Sequence, residues 1–278
     1  MTKIGICFPE RDYKRLEENE FIEQIKKLKE GGLYSFDLYT ELILRNKPNK
    51  FLLTTLFEED IKITFHHNGV LYTGNEKEDI KKIKKDLKEL RKIMKANKHN
   101  YETTIVFHIP NYEDNKYAHI KKMIKYFKEI SKIGEKNNFK ILIETLSNNH
   151  PKGNHVGNDF SEIILFINNI PSKNFGICWD VGHTRLNHIE DHENIFIPEK
   201  LKEKIMFTHI HSFYKKDEKI VEHMPITNLE LQDDEIDFLK ESNYNGVYSL
   251  EYQMDGIKEN VNIYIDNIKK LTEYIEKR

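Results

Sequence analysis

Along this chain, short apolar runs of strand length alternate with longer segments whose apolar positions recur at helical spacing. The strand-like runs are expected over residues 3–8, 33–39, 61–66, 102–108, 139–144, 174–180, 205–211 and 246–251. Amphipathic helix patterns fall between them, over 13–30, 48–57, 77–96, 115–136, 159–169, 197–203, 229–241 and 258–276. Gly31-Gly32 predicts a stop for the first helix, and Gly134 predicts one near the end of the fourth.

Eight such units predict an α/β fold, a (β/α)8 TIM barrel, for which about 250 residues is typical. Strict alternation favours parallel strands, because each helix then serves as the crossover between neighbours. The competing architecture is a doubly wound open sheet. Against it, no Gly-x-Gly-x-x-Gly turn follows any strand, and the charged strand ends are spread along the chain rather than grouped at one switch point. No linker rich in Pro, Gly or Ser divides residues 1–278, which read as one TIM-barrel domain.

Composition narrows the partners. Hydrophobic residues make up 38% and aromatic ones 11%, enough for a core. Charged residues are 32%, yet they balance to a formal net charge of −2, which gives little long-range attraction for nucleic acid or anionic membrane. Lysine-rich stretches such as 78–89 place their charges opposite an apolar helical stripe, so they read as solvated faces. Cys7 and Cys178 fall inside predicted strands and suggest small buried hydrophobes in a reducing compartment. The N-terminal residues enter a strand pattern at once, and no apolar run approaches spanning length. A cytoplasmic protein with no membrane partner is expected, and its oligomeric state is not readable.

The candidate chemistry lies where the strands end. Strand three ends in His66-His67, strand four in His108, strand five in Glu144, strand six in Asp180, strand seven in His209-x-His211 and strand eight in Glu251. In a barrel these ends share one rim, the functional face. Two carboxylates about 4 Å apart repel by about 4 kcal/mol at an effective dielectric near 20. Several such pairs rival the ~5–15 kcal/mol stability of a whole domain. Protonation relieves that repulsion, and so does a divalent cation. An imidazole among the carboxylates favours the cation, with Mn, Zn, Co or Fe suited to mixed N and O donors. The expected primary ligands are Glu144, Asp180, His209 and Glu251. Taken singly, each also reads as a strand-end cap or a salt-bridge partner. His66 and His108 are read as ligands or as contacts to a substrate hydroxyl, with His67 replacing His66 if strand three is offset by one residue. Asp37 reads equally as a hydroxyl acceptor or a surface ion pair, and Phe8, Tyr39, Trp179 and Phe213 as an apolar wall or as core.

The runs Ile141-Leu-Ile-Glu-Thr, Cys178-Trp-Asp-Val-Gly-His, Thr208-His-Ile-His and Tyr248-Ser-Leu-Glu resemble the xylose-isomerase-like TIM barrels. That superfamily includes sugar isomerases and epimerases and the endonuclease IV type of abasic-site nuclease. The resemblance implies Glu144, Asp180, His209 and Glu251 as metal ligands, with Glu144 and Glu251 also carrying protons. It implies a possible second metal at His66, His108 and Glu144, and His183 and His223 as further metal-binding positions of the nuclease type. In such nucleases an acidic residue precedes the last of these by two positions, where this chain has Val221. Family epimerases often have an arginine shortly after the strand-seven histidine; here Lys215 would have to substitute, offering a point charge in place of a planar fork. His183 is expected to touch substrate as a catalytic contact, and His66, His108, His211 and Lys215 to line the substrate site.

Three functions follow. The first is a divalent-metal-dependent isomerase or epimerase acting on a small sugar or related polyhydroxy carbonyl compound through an enediolate. The second is a metal-dependent phosphodiesterase acting on abasic DNA, supported by the histidine count and opposed by near-neutral charge and only six arginines. The third is a barrel that keeps a metal without turnover.

Overall fold

A computed structural model describes residues 2–7, 17–44, 50–67, 73–148, 154–188, 195–216, 219–226, 233–253 and 257–277. Phe8, the first part of the helix expected over 13–30, residues 48–49 and the start of the helix expected over 229–241 lie outside the described residues.

The elements run β1 (Ile4–Cys7), α1 (Glu18–Glu30), β2 (Leu33–Tyr39), α2 (Thr40–Leu44), α3 (Lys50–Glu58), β3 (Lys62–His67), α4 (Glu76–Ala96), β4 (Thr103–Phe107), α5 (Lys116–Lys136) and β5 (Phe139–Glu144). They continue with α6 (Phe160–Asn169), β6 (Phe175–Asp180), α7 (Val181–Asn187), β7 (Ile205–Ile210), β8 (Ser212–Lys216), β9 (Lys219–Met224), α8 (Asp233–Glu241), β10 (Tyr248–Leu250) and α9 (Ile257–Lys277). Eight strands close in the order β1-β10-β7-β6-β5-β4-β3-β2, each parallel to its neighbours, so the chain is a (β/α)8 barrel. Strands β8 and β9 stand apart as an antiparallel pair inserted after β7. Among the described residues, no helix is long and apolar enough to cross a membrane.

Strand alternation divides the apolar residues between two cores. Phe139, Ile141 and Ile143 of β5, with Phe175, Ile177 and Trp179 of β6, join the main core between sheet and helices. Val106, Leu142, Cys178, Phe207 and Val247, one from each of five adjacent strand segments, form a small separate cluster inside the barrel. Two residues farther along the same faces come His108, Glu144, Asp180 and His209, and four residues beyond Val247 comes Glu251. The period of two that fills the barrel with apolar side chains therefore also aims the ionisable ones at its mouth.

Helix starts follow the sequence. Asn75, Asn115 and Asp159 accept hydrogen bonds from backbone N–H groups in the first turns of α4, α5 and α6. At α1 the expected stop is present, with Gly31 capping and Gly32 at φ 101°, a left-handed conformation suited to glycine. Gly134 does not stop α5, which continues to Lys136. It marks a close approach instead, since a Cβ there would come within 2.7 Å of Ile141 Cδ1 on β5. The helix expected over 197–203 is a 3-10 turn at Glu199–Lys204, entered from Pro198 and leading directly into β7. Helices α2 and α7 and the hairpin β8–β9 have no counterpart among the expected elements.

Candidate functional site

The centre of the rim is built around His209. Its Nδ1 lies 2.8 Å from Glu144 Oε1 and 2.9 Å from Glu251 Oε2, and its Nε2 lies 3.2 Å from Asp37 Oδ2. The ring of His66 stacks on it at 5.5 Å, with 10° between the planes. His66 Nε2 is 3.4 Å from Glu144 Oε2 and 3.1 Å from His108 Nε2, which in turn is 2.9 Å from Glu144 Oε2. Asp37, His66, Glu144 and His209 are all buried, and only His108 is substantially open to solvent.

A second group adjoins it. Asp180 ends β6 and caps α7, its Oδ1 accepting the His183 N–H at 2.7 Å. That cap leaves Oδ1 3.1 Å from His211 Nε2 and Oδ2 3.2 Å from His183 Nδ1. His223, on β9, stacks on His211 with centroids 4.4 Å apart, and its Nε2 is 3.9 Å from Glu251 Oε1. Glu251 thus faces both groups, one oxygen to each. Gly182 is required by this packing, because a Cβ there would overlap the His211 ring. The glycine of the Asp-x-Gly-His run is the gap into which that imidazole fits.

The four expected primary ligands are thereby shared between two adjoining groups. Glu144, His209 and Glu251 meet at one nitrogen. Asp180 is level with His209 across the β6–β7 register but turns its oxygens to His211 and His183. The strand-three ambiguity resolves to His66, which faces the rim. His67 points the other way, stacked on Phe107 and 3.8 Å from Asp86 of α4. Lys215 is exposed on the hairpin, opposite Ile220. Trp179 belongs to the outer core, where its Nε1–H donates to Thr184, whereas Tyr39 lies against the His66 ring. His150 lies outside the described residues, and His155 is half-buried.

Sequence reasoning left Asp37 open between two roles and missed Glu222. Asp37 is fully buried beneath the rim, which excludes a surface ion pair. Its place inside β2, two residues before the strand's end, was the available signal. Glu222 reaches the second group from β9, 3.6 Å from His183 Nε2, while accepting the Ser147 hydroxyl at 2.9 Å. Only the unforeseen hairpin brings it there.

Burial raises the pKa of Asp37, Glu144, Glu222 and Glu251, and the imidazoles reverse it. Burial pushes Glu144 and Glu251 up, but His209, aided by His108 at Glu144 and by His223 at Glu251, holds both well below the ordinary carboxyl range. Burial pushes His209 down, and the facing carboxylates carry it well above the usual imidazole value. His183 is likewise raised to about 10 against burial, chiefly by Asp180 and Glu222. His223 follows burial instead and falls to about 4. Burial also raises Glu222, but the His183 contact and the Ser147 hydroxyl bring it down to about 2.

The donor set fits a divalent cation. Buried Glu144 Oε2, Asp180 Oδ2 and Glu251 Oε2 have no hydrogen bond of acceptable geometry, although imidazole nitrogens lie 2.9–3.2 Å away. Those three oxygens have no aligned donor, which leaves their lone pairs for a shared cation. Close His, Asp and Glu groups include His66 with His108 and Glu144, His66 with His209 and Glu251, and Asp180 with His183, His211 and His223.

A closed parallel barrel with buried carboxylates and imidazoles gathered at its C-terminal rim is the class of protein that fold and site define. The Xylose isomerase-like TIM barrel family model matches residues 25–274, and the chain belongs to that family. No curated protein matches it in sequence. Among solved structures it is similar to a D-tagatose 3-epimerase-like protein, with 19% identity, a TM-score of 0.67 and coverage of 99% of this chain and 97% of that one. It is also similar to D-psicose 3-epimerase from Clostridium cellulolyticum, solved with D-tagatose, at 14% identity, a TM-score of 0.65 and 99% of both chains. The probable 3-DHS dehydratase AsbF from Bacillus anthracis matches at 13% identity, with a TM-score of 0.67 over 98% of this chain and 99% of that one. At these identities the likeness carries the fold alone.

Gly182→Ala is expected to cost about 1–3 kcal/mol through overpacking and to shift the His211 imidazole NMR resonances; an unmoved ring would mean that the site has room to spare. In metal-free protein the folded pKa of Glu222 lies below its ordinary 4.5, so its contribution is present above about 4.5 and lost as pH falls towards 2. The stability difference between wild type and Glu222→Gln, read by urea denaturation, is therefore expected to narrow as the pH is lowered below about 4.5.

Proposed function

We propose that this chain is a divalent-metal-dependent isomerase or epimerase that acts on a small sugar or related polyhydroxy carbonyl compound through an enediolate. The observation that carries this reading is the pair Glu144 and Glu251. These buried carboxylates come from separate strands, both are held ionised, and both reach the same nitrogen of His209. Glu144, Asp180, His209 and Glu251 would hold the ion, with His211 beside Asp180 as a further donor; mixed oxygen and imidazole donors suit Mn, Zn, Co or Fe. When bound, such an ion polarises a substrate carbonyl and its neighbouring hydroxyl.

The chain's own residues then move the proton. An ionised Glu144 or Glu251 takes it from the carbon beside the carbonyl; the C–H bond breaks, a carboxyl O–H forms, and the electron pair enters the enediolate. In an isomerase the same carboxyl returns the proton to the adjacent carbon. In an epimerase the opposite carboxyl, having taken up a proton from water, delivers that proton to the other face, and the first carboxyl gives its own back to water after the turnover. His183, His66 and His108 are placed to contact hydroxyls around the reacting carbons, and Lys215 would meet a substrate only from the hairpin side.

A second reading has one observation in its favour. His66, His108 and Glu144 on one side and Asp180, His183, His211 and His223 on the other offer more donors than a single ion takes. An endonuclease IV-like phosphodiesterase acting on abasic DNA would use several ions in that way. The net charge of −2 weighs against it, because phosphate contacts supply much of DNA affinity.

Glu251→Gln is expected to lower turnover on the responsive member of a sugar panel by about 10²–10⁴-fold with the fold retained; near-normal rates would remove Glu251 from proton transfer. Elemental analysis of purified wild type and His108→Ala separates the two readings. One ion per chain, kept in the variant, supports the isomerase or epimerase, whereas two or three zinc ions reduced in the variant, with cleavage of an abasic-site duplex, support the nuclease.

A further inference from the structure

Asp37 is fully buried on β2, in register with Cys7 of β1 and Thr64 of β3, one layer beneath the rim. Its Oδ1 accepts the Thr64 hydroxyl at 3.1 Å. Its Oδ2 is left to two imidazoles, 3.2 Å from His209 Nε2 and 3.8 Å from His66 Nδ1. Both rings are buried, they stack 10° from parallel, and His66 Nδ1 has no hydrogen-bond partner. The opposite nitrogens face the rim: His209 Nδ1 meets Glu144 and Glu251, and His66 Nε2 meets Glu144 and His108. One carboxylate oxygen therefore looks at the far nitrogen of two neighbouring histidines at once.

We infer that Asp37 is a positioning residue that sets the tautomer of both His209 and His66, keeping their rim-facing nitrogens unprotonated as donors to a cation. Glu144 and Glu251 also face His209 Nδ1, so the choice falls to Asp37 once a cation lies between them. The carboxylate only accepts, the ring nitrogen turned to Asp37 then carries the proton, and the rim-facing nitrogen keeps its lone pair for the ion. Outer carboxylates that orient ligand imidazoles in this way typically account for 10–100-fold in metal affinity. Asparagine at the same position would retain the Thr64 contact through its carbonyl and turn its NH2 towards the imidazoles. The protons would then move to His209 Nδ1 and His66 Nε2, the atoms that face the glutamates. The inference rests on the cation proposed above, but its test distinguishes the two.

The test uses the full chain loaded with zinc, long-range 1H–15N NMR of the imidazoles, and chelator competition for zinc affinity. Wild type is expected to show the His209 proton on Nε2 and the His66 proton on Nδ1. Asp37→Asn is expected to bind zinc 10–100-fold more weakly while keeping its near-UV circular dichroism. Affinity within twofold of wild type overturns the inference, and so does zinc bound at His209 Nε2. If Asp37→Asn does not fold, the wild-type spectra decide alone. A wild-type chain that takes up no divalent ion fails the reading of the preceding subsection and this one with it, whereas normal uptake by both proteins fails this one alone.

Discussion

Carboxylates can be gathered at the mouth of a barrel only if something of opposite charge is threaded between them. Here imidazoles do this. Glu144 faces His66, His108 and His209; Asp180 faces His183 and His211; Glu251 faces His209 and His223; Asp37 faces His209 and His66. Without these partners each close carboxylate pair would cost several kcal/mol at an intermediate dielectric, comparable to much of a domain's stability. When those imidazoles give up a proton, their nitrogen lone pairs turn to the same ground as the carboxylate oxygens, so the arrangement that makes the rim tolerable also suits a cation.

The barrel supplies the placement. Parallel closure brings five strand segments side by side around the inner apolar cluster, and a two-residue step lifts the next inward side chain to the mouth. Local features refine this. Asp180 spends one oxygen on the cap of α7, which fixes its orientation, and Gly182 clears the space that His211 fills. Arg185 on α7 lies 2.8 Å from buried Glu235 of α8, so the short helix that carries His183 is tied to the outer layer. The hairpin β8–β9 then lays Glu222 and His223 over the second group from above.

Membership of the xylose isomerase-like family leaves the reaction open. The structures similar to this chain include epimerases and a probable dehydratase on one fold, so the chemistry must be argued from the side chains at the rim. The pairing of two ionised glutamates through one imidazole suits proton transfer beside a carbonyl. The surplus of histidines keeps a multi-ion arrangement in play.

The barrel was legible because its signal is local and repeated. Strands β2 and β5 coincide with their expected ranges, and the other barrel strands differ only at their ends. Rim residues were legible for the same reason, as ionisable groups that terminate apolar runs. Short or mixed elements carried no such signal: α7 is seven residues long and opens on Val181 and Gly182, and the hairpin mixes lysines with apolar residues. Gly134 misled because a glycine near a helix end signals a stop, whereas its actual constraint is Ile141, a contact between elements. By itself the sequence determined the fold, the family and which side chains reach one mouth, since these follow from period, order and type. Only the tertiary structure decided which imidazole faces which carboxylate, why Gly182 stands beside His183, and that Asp37 is buried beneath His209. Those depend on stagger between strands and on side-chain directions across the barrel, neither of which is encoded in the spacing of residues along the chain.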